Sequence, residues 1–382
     1  MDFTFSDEQE MLRDTARRFL DDKAGSEVVR RLMESDSGFD EEHWSEIAAQ
    51  GWQAMTIPEE YGGVGFSFME QAILMEEMGR SVFPSPYLSS VVLGAELVLE
   101  AGSEEQKRSI LPAVAAGEVR LAVAQLEPNG RWDASGIEMA ATRDGEELVL
   151  DGTKSFVIDG HTAHTLIVVA RTGMGSSGPD GISLIVVPGD ADGVASRRIE
   201  TMDQTRKMAE VTFTGTRIPA TSVLGADVLG ADGWLALDRT LTRAVVALAF
   251  EQVGGAQQCL DMSVEYAKVR VQFGRPIGSF QAVKHKCADM LVEIEAAKSA
   301  AYYAGWAVSV DDADLGVAAA LAKSYCSEAY SHAAGESIQI HGGIGFTWEH
   351  DAHLFFKRSK ADELLFGTPA SHRAKLADIL GL

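Results

Sequence analysis

Three cysteines in 382 residues, Cys259, Cys287 and Cys326, are too few and too scattered for a disulfide framework, and none sits in a Cys-x-x-Cys spacing. They read as reduced thiols, which predicts a cytoplasmic protein. No apolar run approaches the roughly 20 residues that a spanning helix needs; aliphatic clusters such as Leu166–Ala170 and Leu184–Val187 fall far short of it. The opening MDFTFSDEQEMLRDTARRFL carries acids where a signal peptide would be basic and then apolar. Positive charge is scarce as well. The 33 Lys+Arg against 57 Asp+Glu leave a net charge of −24. A surface that acidic repels phosphate backbones and anionic lipid, so nucleic-acid and membrane-surface binding are excluded, and a polyanionic ligand needs its own local basic pocket. GxSxG, GKS/T and HExxH are absent, and the glycines of Gln339–Phe346 are not a GxGxxG after a strand. His341, His350 and His353 cluster without a carboxylate or Cys at ligand spacing, so they are expected to be solvated loop histidines and no metal site is predicted.

Hydrophobic residues make up 46% of the chain and charged residues 24%, enough for a well-packed core, and the length calls for more than one packing unit. The texture changes twice. Up to about Gly117 apolar residues recur at three and four, as in Met11, Ala16, Phe19 and Leu20, with Ser6 before Asp7-Glu8-Gln9 marking a helix start. Pro58–Phe66 breaks this helical third. From about Val119 to Val223 the period becomes two. Glu147–Gly152 reads as a β run ending in a Gly turn, and Leu166–Ala170, Ile182–Val187 and Val211–Phe213 read as further strands. Long helical stretches then return, from about Trp234 to Arg270, Phe280 to Val310 and Leu315 to Ile340, and their short loops predict an antiparallel bundle. The acidic Asp311-Asp312-Ala313-Asp314 reads as a solvated helix start.

Two segments could carry chemistry. Arg270-x-x-Phe273-Gly274-Arg275-Pro276-Ile277-Gly278, then Phe280-Gln281, places a guanidinium and an aromatic ring beside a tight turn, a pairing that suits a phosphate and a base. By local chemistry alone the helix stop, with Arg at the dipole end, is the favoured reading. Gln339-Ile340-His341-Gly342-Gly343-Ile344-Gly345-Phe346 could let backbone approach an anion, or it could simply cap a helix.

Taken together and in order, these pieces resemble the acyl-CoA dehydrogenases, flavoenzymes that oxidise the Cα–Cβ bond of a CoA thioester. The resemblance covers essentially the whole chain. FSDEQEMLRDTARRF matches the family's opening helix, and Pro58–Gly65 followed by Met75-Glu76-Glu77 matches a signature loop and helix. The Arg270–Gln281 and Gln339–Gly345 stretches match the two pieces that hold the ADP end of FAD. The resemblance therefore implies an α+β fold with an N-terminal all-α domain (1–118), a middle β-barrel-like domain (119–225) and a C-terminal four-helix bundle (226–382). It implies FAD as cofactor, held by Arg270, Phe273, Gln281, Gln339, Gly342, Gly343 and Thr368, with Arg270 and Phe273 serving the neighbouring subunit. It also implies an acyl-CoA substrate, a homo- or heterotetramer with another such subunit, and electron-transfer flavoprotein as acceptor.

The departures from the family pattern narrow this reading. One flavin-ring segment usually ends in a hydroxyl residue before Glu-Pro and here reads Ala124-Gln125-Leu126-Glu127-Pro128. The other is usually Trp-Ile-Ser/Thr-Asn-Gly and here reads Phe156-Val157-Ile158-Asp159-Gly160. Leu126 and Ile158 thus stand where hydroxyls would hold the ring. The commonest base position, the Glu of Tyr-Glu-Gly-Thr, is Phe366 in Leu365-Phe366-Gly367-Thr368. The alternative base positions on the first bundle helix hold Thr242 and Ala244. Glu251, two turns after Ala244, is the acid left on that face. It is either a relocated base or a structural carboxylate pairing with an Arg such as Arg243 or Arg270. The chain is most similar to the small subunits of bacterial heteromeric members. A homotetramer using Glu251 and a flavin-free structural relative are the alternatives.

Overall fold

In the computed structural model, which describes residues 5–173, 175, 177–225 and 233–382, Ser6 opens the first helix as its sequence predicts. Its hydroxyl accepts from the Gln9 N–H at 3.2 Å, and the Gln9 side-chain Oε1 accepts from the Ser6 N–H at 3.1 Å, a reciprocal capping box. In chain order the helices are α1 (Asp7–Lys23), α2 (Ser26–Glu34), α3 (Glu41–Ala49), α4 (Phe68–Ser81), α5 (Glu96–Ala101) and α6 (Glu104–Ala115). A fully buried π-helical stretch, Leu88–Ala95, leads into α5. The strands follow: β1 (Leu121–Ala124), β2 (Ala141–Asp144), β3 (Glu147–Ile158), β4 (Thr165–Arg171), β5 (Ile182–Pro188), β6 (Val194–Ile199) and β7 (Met208–Pro219). The chain ends with α7 (Gly233–Val269), a small hairpin of β8 (Val271–Gln272) and β9 (Arg275–Pro276), α8 (Gln281–Ser309), α9 (Leu315–His341), α10 (Ala352–Leu364) and α11 (Pro369–Leu380). Among the described residues no helix is long and apolar enough to cross a membrane.

The chain forms two compact units. One gathers Leu32–Phe66 and Ser85–Ala244. Its strands form two sheets, β1-β4-β5 and β2-β3-β7-β6, linked by a bridge between Ala140 and Arg171. Alternate strand residues (Leu148, Leu150, Leu166, Val168, Ile185, Val187, Val211, Phe213) point into one shared core, the physical counterpart of the period-two pattern. The Gly turn expected at Gly152 does not form. β3 runs on to Ile158, and Gly152 (φ 145°) absorbs a register shift against β7, which a residue without Cβ can do inside a strand. On the helical side of this unit, α5 is tied to the start of α7 by Glu96–Arg243 and by Glu100–Arg239 at 2.9 Å.

The other unit gathers Met1–Arg31, Ser67–Pro84 and Val245–Leu382, so α1 and α4 pack with the C-terminal helices. In it α9 is flanked by α8, α10 and α11. Glycine sets its tightest crossing. A Cβ at Gly79 on α4 would run into the Glu251 backbone carbonyl on α7, and one at Gly254 on α7 would run into that of Glu76 on α4. The two backbones therefore touch, which explains why glycine tolerates its helix-propensity cost there. Replacing Gly254 by Ala is expected to push the helices apart and cost about 1–3 kcal/mol or more. Gly335→Ala, in α9 with open space around its would-be Cβ, should gain about 0.5–1 kcal/mol. Denaturant titration of the two variants checks the opposite signs.

Candidate functional site

The Arg270 segment folds as a two-residue hairpin. Val271 and Gln272 pair with Pro276 and Arg275, and the turn residues Phe273 (φ 52°) and Gly274 (φ 77°) both take positive φ. Such a turn favours Asn-Gly, and a bulky aromatic at its first position is strained. Phe273 is also 92% exposed, so packing does not explain it. Its ring meets Phe280 edge-on at 6.1 Å, and Arg275 lies 4.1 Å over the other ring. Arg270, at the end of α7, and Gln281, the first residue of α8, are exposed beside this tip. The glycine segment closes α9 in the same unit. Gly342 (φ 64°) and Gly343 are exposed, with open space where a Cβ would be, so bare backbone is offered to solvent. Tyr266, one turn before Arg270, contacts the His341 ring at 4.5 Å, which brings the two segments together. Gln339 is exposed on the last turn of α9, and Thr368 caps α11, its hydroxyl accepting from the Ser371 N–H at 3.2 Å.

The histidines of this region are not the solvated ones expected. His341 and His353 are buried. His341 packs on His350 at 4.2 Å and donates from Nδ1 to the Ser337 carbonyl at 2.7 Å, and His353 meets Trp348 at 4.7 Å. Burial lowers the pKa of all three, so they serve as neutral aromatic packing.

Glu251 is 2% exposed and forms a 2.5 Å ion pair with Arg358 of α10, itself 2% exposed. The expected partners were wrong. Arg243 pairs with Glu96 in the other unit, and Arg270 is exposed at the hairpin. The crossing at Gly79 fixes the Glu251 backbone, and the carboxylate faces the bundle interior. No periodicity announces Arg358, because α10 mixes charged and apolar residues around its circumference. The one available hint is that Arg358 and Asp362 stand four apart, and both are buried.

Phe366 is 8% exposed with φ 59° and precedes Gly367 at φ 103°. This loop is pinned on both sides. The buried Lys323 ammonium donates to the Asp362 carbonyl at the end of α10, and its burial lowers the lysine pKa to about 8. His372 Nε2 donates to the Phe366 carbonyl at 2.9 Å, and burial pushes the His372 pKa down to about 4.

The two ring-side segments of the β unit lie together: the Ser155 N–H donates to the Leu126 carbonyl at 2.7 Å. Lys154 clips them further, donating to Glu127 at 2.6 Å and to the Gln125 carbonyl at 3.1 Å, with its pKa lowered to about 8 by burial. Glu127 also accepts from the Glu138 and Met139 N–H groups. Leu126 and Ile158 are 7% and 6% exposed and offer no side-chain donor. Phe156 and Asp159 both take φ 52°, and the Asp159 carboxylate accepts from Ser89 at 2.6 Å. Bulky left-handed residues are costly, and three of the four among the described residues, Phe156, Phe273 and Phe366, fall in segments singled out from the sequence; the fourth is Val82.

Against FAD, the donor set fits at one end. An exposed guanidinium, a strained exposed ring and open glycine backbone suit a dinucleotide's phosphates and base. At the segments expected to face the ring, Leu126 and Ile158 are buried aliphatic side chains with no hydroxyl to offer.

Two outcomes follow. Glu251→Gln, which leaves the Arg358 charge buried with a weaker partner, should destabilise the fold by somewhat less than the roughly 3–5 kcal/mol of full removal, while flavin bleaching by acyl-CoA keeps the wild-type rate; stopped-flow absorbance and melting on one sample check both. His372 binds its proton less readily folded than unfolded, so its contribution is lost as pH falls from about 6.5 to about 4. His372→Gln keeps a donor but does not titrate. Wild type should therefore lose about 3 kcal/mol more than the variant across that window, read by urea titration at each pH.

The comparisons with known proteins agree with this geometry. Residues 6–118, 122–216 and 231–381 match the acyl-CoA dehydrogenase N-terminal, middle and C-terminal domains. The chain is 35% identical to acyl-CoA dehydrogenase IpdE2 of Mycolicibacterium smegmatis, over 97% of this chain and 98% of that protein. Its fold matches butyryl-CoA dehydrogenase from Megasphaera elsdenii with a TM-score of 0.92 at 28% identity, covering 100% of both chains. It matches a chain of the ChsE4-ChsE5 complex from Mycobacterium tuberculosis with a TM-score of 0.89 at 26% identity, covering 100% of this chain and 99% of that one. With all three domains present in order and paired with close relatives along its whole length, the chain belongs to the acyl-CoA dehydrogenase family of FAD-dependent oxidoreductases that act on CoA thioesters.

Proposed function

We propose that this chain is the subunit of a heteromeric acyl-CoA dehydrogenase that lends the ADP-side half of a shared FAD site and leaves proton abstraction to its partner. The observation that carries the reading is Glu251: the acid left on the base-bearing face of α7 is buried in an ion pair with Arg358. A carboxylate held at 2.5 Å by a guanidinium is a poor proton acceptor, because protonation would strand a buried cation. Phe366, buried and left-handed where the family's commonest base stands, cannot take a proton at all. Leu126 and Ile158 remove two hydrogen bonds that would hold the flavin ring, each worth about 1.5–3 kcal/mol when the ring is charged.

What the chain retains is the lent half. Arg270 supplies charge-assisted donors to a pyrophosphate, Phe273 a face for a base, and Gly342 and Gly343 backbone that can approach closely. Bound FAD would supply the hydride acceptor, and this chain's residues would hold its far end. The ChsE4-ChsE5 relative is, by its description, a complex of two different chains, and a two-chain assembly is the arrangement proposed here. Electron-transfer flavoprotein is the expected acceptor, and the acyl chain is set by the partner's pocket.

Purified alone, the chain should be colourless and should turn yellow with its partner; a yellow homotetramer that bleaches with acyl-CoA would overturn the proposal. Within the assembly, Arg270→Ala should weaken FAD binding by about 10- to 150-fold, the equivalent of one charge-assisted hydrogen bond of about 1.5–3 kcal/mol. Its melting should be unchanged once the cofactor is removed. FAD content by absorbance after gel filtration reads the first effect.

A further inference from the structure

A second polar site lies in the β unit, where residues 33–39 fold against β6 and β7. Three basic side chains gather the carbonyls of this loop. Lys207 donates to Met33, Arg198 to Ser35 at 3.0 Å, and His161 to Asp36 at 2.9 Å. The Lys207 stem passes beneath Gly38, whose positive φ (77°) and missing Cβ make room for it. The ammonium is thereby carried into the floor of a cavity of about 260 Å³, lined also by Arg198, Thr201, Glu34 and Glu200.

The chemistry of that floor is incomplete. An ammonium has three N–H donors, and among the described residues the Lys207 side chain is hydrogen-bonded to the Met33 carbonyl. Lys207 is 7% exposed, so bulk water does not solvate the rest. Arg198 brings a second positive charge to the same cavity, and its nearest carboxylate, Asp36 at 3.6 Å, is fully solvated. The acids Glu34 and Glu200 are exposed, where solvent and salt screen them, whereas Lys207 is buried and Arg198 half-buried. Burial and then Arg198 lower the proton affinity of Lys207, and the carboxylates of Asp203 and Asp36 offset this only in part. A buried charge without a partner is costly, and a bound acceptor relieves that cost.

We infer that the Lys207–Arg198 cavity is a binding site for a single oxyanion group, a phosphate or carboxylate, that bridges residues 33–39 to β6 and β7. In a chain of net charge −24 this supplies the local basic pocket that such a ligand requires. The site is independent of the flavin contacts and of subunit composition, so its test does not depend on the heteromeric reading.

The test is isothermal titration of the full chain with inorganic phosphate, with acetate and with coenzyme A, repeated on Lys207→Met and Arg198→Gln. Met keeps the stem beneath Gly38, and Arg198 is only half-buried, so at least one variant should fold; melting curves establish which. The expected result is saturable phosphate or acetate binding that weakens at least tenfold in either variant. If coenzyme A loses affinity by the same factor, the phosphate belongs to the substrate's nucleotide; if it does not, the ligand is a free anion. Absence of saturable binding by all three probes, or binding that is equal in wild type and folded variants, would overturn the inference.

Discussion

The crossing of α4 and α7, where Gly79 and Gly254 let the two backbones touch, is the constraint from which most of the helical unit follows. Helices that close leave no side-chain layer between them at that point, so polar groups flanking the crossing must find partners within the surrounding bundle. On α4, Glu77 takes Arg17 at 2.7 Å and Glu76 takes the Tyr302 hydroxyl at 2.8 Å; on α7, Glu251 takes Arg358. Each pairing joins a different helix to the crossing. Burial raises the Glu76 pKa against the pull of Arg13, which shows how little solvent reaches these groups. A carboxylate so placed serves the architecture, and its availability for chemistry falls accordingly.

Strain marks the places where architecture yields to function. A phenylalanine at the tip of a hairpin, exposed and with positive φ, gains nothing from packing, and an Asn there would fold more readily. Phe273 is maintained against that preference, and it lies beside Arg270 and the open Gly342-Gly343 backbone. Phe366 differs: its loop is held by Lys323 and His372 as firmly as a catalytic loop would be, although its side chain is apolar. In the β unit, Lys154 with Glu127 and Ser89 with Asp159 hold the backbone on either side of the buried Leu126 and Ile158.

The chain's excess of acid gives the few buried cations particular weight. Lys154 and Lys323 have acceptors close on several sides. Lys207 is held by one carbonyl and faces a cavity with Arg198. In a protein that repels anions at long range, a short-range pocket of this kind selects by geometry rather than by attraction from afar.

Much of this was legible in the sequence, for identifiable physical reasons. Short apolar runs bounded by Gly, Pro and Asp gave β4 and β5, which are buried on both faces, and alternation gave β7, whose burial alternates; long three-four periodicity gave α7, α8 and α9 within a residue or two. The aliphatic and aromatic character of Leu126, Ile158 and Phe366 is read from residue type alone, wherever the side chain ends up. Other features depended on contacts between distant segments. Gly152 looks like a turn locally, yet its neighbours across the sheet keep β3 extended. His341 and His353 look solvated until Tyr266 and Trp348 close over them. Glu251 could have been a base or a structural carboxylate, and only the packing of α10 brought Arg358 to it. Residue types and periodicities determined which elements form and which groups are missing; tertiary packing decided which charges meet, because ion pairs between helices depend on where the chain returns in space, and sequence spacing does not encode that.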